Sequence, residues 1–131
     1  MEVKVELSKI IINETVAQQV VVLKEVNGER SFPIVIGMPE ILAIDRRLKG
    51  VKFPRPMTHD LLGNVVNQVG GKVEKVVISD LNEHTFFAYI QIAVNGRVEK
   101  VDCRPSDGLA LGVGLKVPFF VNDRVFEKLQ S

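Results

Sequence analysis

Val3, Val5 and Leu7 alternate with Glu2, Lys4 and Glu6 at the start of the chain, the period of a strand with one buried face. The runs QQVVVLKEV and ERSFPIVI flank Asn27-Gly28, and TFFAYIQIAV and RVEKVDC flank Asn95-Gly96. Asn-Gly between strand-like runs predicts hairpins with type I′ turns, because both central residues take positive φ at little cost. In the second hairpin Phe86, Ala88, Ile90, Ile92 and Val94 share one face, with Gln91 on the other. VEKVVISDL, residues 73–81, precedes that hairpin as a strand, as the opening alternation precedes the first.

The period then changes. MPEILAIDRRLKG sets Ile41, Ile44 and Leu48 on the core face of a helix, with Val51 just beyond. Pro39 suits its first position and Gly50 its stop. RPSDGLALGVGLK repeats the arrangement from Pro105. THDLLGNVVNQVGG predicts a helix capped by Thr58, with Leu61, Leu62, Val65, Val66 and Val69 along one stripe and Gly70-Gly71 at its end. NDRVFEKLQ, residues 122–130, is a short amphipathic end piece. The chain reads as an α+β single domain over residues 1–131. It is an internal duplication of two β-β-β-α-α repeats, about 1–70 and 71–131, with a mixed or antiparallel sheet and helices packed on it.

The composition, 46% hydrophobic and 25% charged over 131 residues, suits one globular core. No apolar run approaches a membrane span and the N-terminus is unlike a signal peptide, so no membrane partner is expected. Cys103 is the only cysteine, which excludes an internal disulfide and makes the cytoplasm the simplest location. The net charge of +1 lacks the excess of a non-specific nucleic-acid binder, so any such grip rests on a local patch. RRLKGVKFPR offers one: Arg46, Arg47, Lys49, Lys52 and Arg55 without an acid among them. It is either a solvated face or a phosphate-facing edge ahead of His59 and Asp60.

His59 sits at the positive end of its helix, which favours the neutral imidazole that a base or metal ligand requires. As a lone histidine without context it reads first as a surface or capping residue. His84, in the tight turn NEHT, reads as loop. Pro105, Ser106 and Asp107 suit a helix start, with Ser106 or Asp107 supplying oxygen to the free N–H groups. Asp102 and Arg104 exceed that need and read as a pair. One cysteine without a CxxC sets aside structural zinc. GLALGVG lacks the order of phosphate-binding fingerprints, and Gly108 and Gly112 instead allow close packing on that helix. No nucleophile-elbow motif surrounds Ser106, which argues against a triad with His59 and an aspartate.

FPIVIGMPEILAI, RPMTHDLL, TFFAYI, VDCRPSDGLAL and VPFFV, in this order, resemble the bifunctional nuclease domain family over nearly the whole chain. The resemblance implies an α+β fold of two β3α2 repeats, a homo-oligomer in at least some members, and hydrolysis of RNA or DNA. The family-like polar positions are Glu40, Arg55, Thr58, His59, Asp60, Asp102, Arg104, Ser106 and Asp107. Cys103 and Gly108 stand where alanine is common, and Arg46-Arg47 makes its stretch more basic than usual. The catalytic candidates are therefore His59 as base, Asp60, Asp102 and Asp107. Arg46, Arg47, Arg55, Arg104 and Ser106 are candidates for binding RNA or DNA. Glu40, Asp60 and Asp107 are candidate ligands of Mg²⁺ or Mn²⁺. The alternative is a non-enzymatic ligand-binding or oligomeric interaction domain whose polar motifs only cap helices.

Overall fold

Each alternating run forms a strand in the computed structural model, which describes residues 1–130. The first half gives β1 (Glu2–Ile11), β2 (Gln18–Glu25) and β3 (Ser31–Gly37), then α1 (Met38–Leu48) and α2 (Thr58–Gln68). The second gives β4 (Lys72–Asn82), β5 (Thr85–Val94), β6 (Arg97–Cys103), α3 (Pro105–Leu115), β7 (Phe119–Asn122) and α4 (Asp123–Leu129). The α+β class is as expected, but β7 interrupts the second β-β-β-α-α order. VPFFV is the segment concerned, and its strand fills the gap between the two meanders.

The sheet order is β3-β2-β1-β7-β4-β5-β6. All neighbours are antiparallel except β4 and β7. Strands lie roughly 4.8 Å apart, so a flat sheet would hold β3 and β5 roughly 24 Å from each other. Instead Phe32 of β3 stacks on Phe86 of β5 with centroids 5.4 Å apart. The sheet is therefore strongly curled, and its inner side holds Val5, Leu23, Ile34, Ile78, Ala88 and Val121. Ile41 and Ile44 of α1 and Leu109 and Ala110 of α3 fill that concavity at 0% exposure.

Gly108 and Gly112 let α3 lie against the sheet, as their spacing predicted. A Cβ on Gly108 would come within 2.8 Å of Val76 Cγ1, and one on Gly112 would meet the Phe119 ring. Asn95 and Gly96 adopt φ of 52° and 76°, the expected I′ turn. At Asn27-Gly28 that expectation fails: neither residue is left-handed. The hairpin closes instead between Glu25 N–H and the Arg30 carbonyl at 2.9 Å. A Cβ on Gly28 would fall 2.6 Å from Glu25 Oε2, so a larger residue there would have to displace that carboxylate from Arg30.

Three further expectations are corrected. Met38, not Pro39, takes the first position of α1, and Leu48 and Val51 are nearly half exposed because the helix end leaves the core. Met57, not Thr58, is the N-cap of α2. Most of the stripe of α2 faces outward: Leu61, Leu62, Val65 and Val69 are exposed. Val66 packs half-buried on the core cluster of Val73, Val76, Ile90 and Leu111, and Gly63 is buried against Leu111 and Leu115. Periodicity reveals an apolar stripe but not what covers it.

Candidate active site

The first turns of α1, α2 and α3 converge on one cleft of about 610 Å³. Met38, Pro39 and Glu40 come from α1, Thr58 and His59 from α2, and Arg104 and Asp107 from the start of α3. None of the three N-cap residues supplies a side-chain hydrogen bond. The capping role expected of Thr58, Ser106 and Asp107 is thus absent, and three positive helix ends border the same space, which favours an anion.

Asp107 is occupied by other partners. Its Oδ1 lies 3.0 Å from His59 Nε2, and its Oδ2 accepts from Arg104 Nε at 3.0 Å. Burial pushes its carboxyl up, but the hydrogen bonds from His59 and Arg104 and the Arg104 charge outweigh this and hold it below its ordinary value of 3.8. An ionised carboxylate only accepts, so Nε2 of His59 carries a hydrogen, and in the neutral ring the lone pair is then on Nδ1. The contact with Asp107 therefore fixes which tautomer the neutral ring adopts. Because the folded carboxyl titrates lower than the unfolded one, its stabilisation is complete above the ordinary carboxyl range and is lost as pH falls through it. Urea unfolding of Asp107→Asn should show a loss of about 1 kcal/mol near pH 7 that shrinks below about pH 4.

Arg104 also approaches Glu40, its Nη1 3.9 Å from Oε2, while remaining two-thirds exposed. The expected pairing of Arg104 with Asp102 does not form. Asp102 is exposed opposite Tyr89. The preceding pair, Ala88 and Cys103, faces inward, so alternation turns Asp102 to the outer side. There it borders a separate hollow with Glu2, Lys100 and Arg124. Its charge needs no site to explain it, because β6 is an exposed edge strand.

The basic residues divide. Arg46 and Arg47 line the cleft. Arg55 borders a neighbouring hollow with Asp60, beyond Phe53, and Ser106 is buried beside a third hollow. Arg47 is 7% exposed, donates to the Ala43 carbonyl at 2.8 Å, and sets Nη2 3.1 Å from Asp60 Oδ1. That last contact is off the N–H direction, leaving Nη2 buried without an aligned acceptor. Asp60 Oδ2 accepts from the Met57 N–H at 3.1 Å, so this carboxylate anchors the start of α2 rather than facing a substrate.

Glu40, Asp60 and Asp107 do not form a metal-ligand set. Asp60 faces Arg47, and Asp107 faces His59 and Arg104. Among the described residues no three His, Cys, Asp or Glu side chains gather around a common point for an ion. Cys103 stands apart too: burial, then the Asp102 and Asp107 charges, push its thiol up to about 11. Its reaction with a disulfide reagent at pH 7.5 should be much slower in the native chain than in the urea-unfolded one.

Sequence reasoning missed the floor of the cleft, formed by Leu42, Ala43, Phe53 and Met57. The signal was present in the apolar residues among the arginines of 46–57. Arg46 lies over the Phe53 ring, 6.0 Å from its centroid. An apolar floor with cationic walls suits a base and its phosphate. Among the described residues no helix is long and apolar enough to cross a membrane.

The family model for the bifunctional nuclease domain matches residues 21–131. An uncharacterised protein of Mycobacterium tuberculosis is 41% identical over 108 residues, covering 82% of this chain and 64% of its own length. Bifunctional nuclease 2 of Arabidopsis thaliana is 30% identical over 94 residues, 68% of this chain and 28% of the plant protein. Bifunctional nuclease 1 of Oryza sativa subsp. japonica is 23% identical over 118 residues, 87% of this chain and 36% of the plant protein. The chain thus spans 64% of the mycobacterial relative and about a third of the plant ones.

Proposed function

The chain belongs to the bifunctional nuclease domain family, and on that premise we propose that it hydrolyses phosphodiester bonds of single-stranded RNA or DNA in the cleft where α1, α2 and α3 begin. The observation that carries this reading is the His59–Asp107 pair, joined to Arg104, on a cleft bordered by three helix N-termini. His59 Nδ1 takes a proton from water, and Asp107 holds the ring and stabilises the imidazolium that forms. Arg104 and Arg46 hold the phosphate, while a base rests on Phe53 and Met57. The half-buried His59–Asp107 pair lies beside the apolar floor, where its interaction is screened less than in open solvent. Mg²⁺ or Mn²⁺ stays an experimental variable, since the acids that would hold it are paired elsewhere.

Purified protein is incubated with labelled single-stranded RNA and DNA, with Mg²⁺, with Mn²⁺ and with chelator. Cleavage by the wild type that is lost in His59→Ala is the expected result. Equal cleavage by both would assign the activity to a contaminant. The exposed α2 stripe supports a homo-oligomer with a second copy covering Leu61, Leu62, Val65 and Val69. Light scattering should then give a multiple of the 14.6 kDa chain mass that falls to one chain in Leu61→Asp/Val65→Asp.

A further inference from the structure

We propose that the hollow beyond Arg104 is the leaving-group side of the same site and that His84 is its proton donor. The inference rests on the nuclease reading and adds to it a second catalytic residue. This hollow, about 360 Å³, is lined by Ile34, His84, Phe86 and Ser106, and it shares Glu40 and Arg104 with the cleft. A phosphate seated on Arg104 therefore has a base-sized space on either side. The chain has two histidines, and one falls in each space.

The backbone at His84 points the same way. Glu83 and His84 form the two-residue turn between β4 and β5 with φ of 49° and 66°. Left-handed backbone at two successive residues is what Asn-Gly supplies easily at 95–96 in the next turn of the same sheet. Glu83 is an uncommon choice for this geometry, whereas histidine is among the residues that enter it more readily, and the turn sets His84 on the lining of the hollow. The charged and titratable residues that line the hollow with His84 are Glu40 from α1 and Arg104 from the start of α3; Glu83 precedes it on its own turn.

In the step, a water oxygen bonds to phosphorus and gives its proton to His59 Nδ1. The bond from phosphorus to the leaving oxygen breaks with its electron pair on that oxygen, which takes the proton of the His84 imidazolium. The products are a phosphomonoester and an alcohol, and both rings return to their starting forms by exchange with water.

The test compares an oligonucleotide with a p-nitrophenyl phosphodiester, whose leaving group departs without a proton. His84→Asn should lower kcat on the oligonucleotide by about 10²-fold and remove the alkaline limb of its pH profile, with little loss on the nitrophenyl ester. His59→Ala should fail on both. Glu83→Asn/His84→Gly should raise Tm and still lose oligonucleotide cleavage. An unchanged His84→Asn, or one slowed equally on both substrates, overturns the assignment while leaving the nuclease reading intact. No cleavage of either substrate by the wild type overturns both.

Discussion

His59→Ala is expected to lose phosphodiester cleavage by about 10²–10⁴-fold with its far-ultraviolet circular dichroism unchanged. The side chain is 15% exposed and its recorded hydrogen bond is to Asp107. Removing it leaves the carboxylate with Arg104, so the fold keeps a satisfied acid while the chemistry loses its base. Asp107→Asn tests the same pair from the other side. The amide matches the carboxylate in shape but cannot stabilise an imidazolium, and about 10²-fold in kcat should go with it. Near-wild-type kcat in both variants would remove the dyad from the mechanism.

The largest stability effect is expected at Asp60. Its substitution by alanine strands the Arg47 guanidinium, which is 7% exposed, and removes the acceptor of the Met57 N–H. Breaking a buried ion pair from one side costs about 3–5 kcal/mol; Asp60 is 37% exposed, which brings the expectation to about 2–3 kcal/mol. Arg47→Met reverses the asymmetry. The surviving carboxylate reaches water and the new side chain is apolar, so the loss should be about 1 kcal/mol or less. Urea melts of the two variants decide it: equal losses would mean that the guanidinium is not the buried partner.

The strands were legible because each follows from local alternation, and His59, Arg104 and Asp107 were named one by one from their motifs. That they converge on one cleft was not legible, because packing brings α2 and α3 together from far apart in sequence. Nor was the partner of Arg104. A strand pattern sets residues 102 and 104 on one face, but at Arg104 the chain turns into α3, and helical i,i+3 spacing brings it to Asp107 instead. Glu40 was legible as a polar residue near a helix start; that it borders two hollows depends on a curl of the sheet that no short segment encodes. The burial of α2 was illegible for the same reason, since its neighbour is a surface assembled from Leu111 and Leu115 of α3.

The glycine contact of α2 has a dynamic consequence. A helix seated in its middle through Gly63, and tied at its start by Asp60 and His59, buries too little to share the opening free energy of α1 and α3. In a single chain its amides should exchange with solvent ahead of those in the core helices, and more slowly once a second copy covers the exposed stripe. Each opening takes His59 away from Asp107, so on the proposed mechanism a chain with α2 undocked lacks its base.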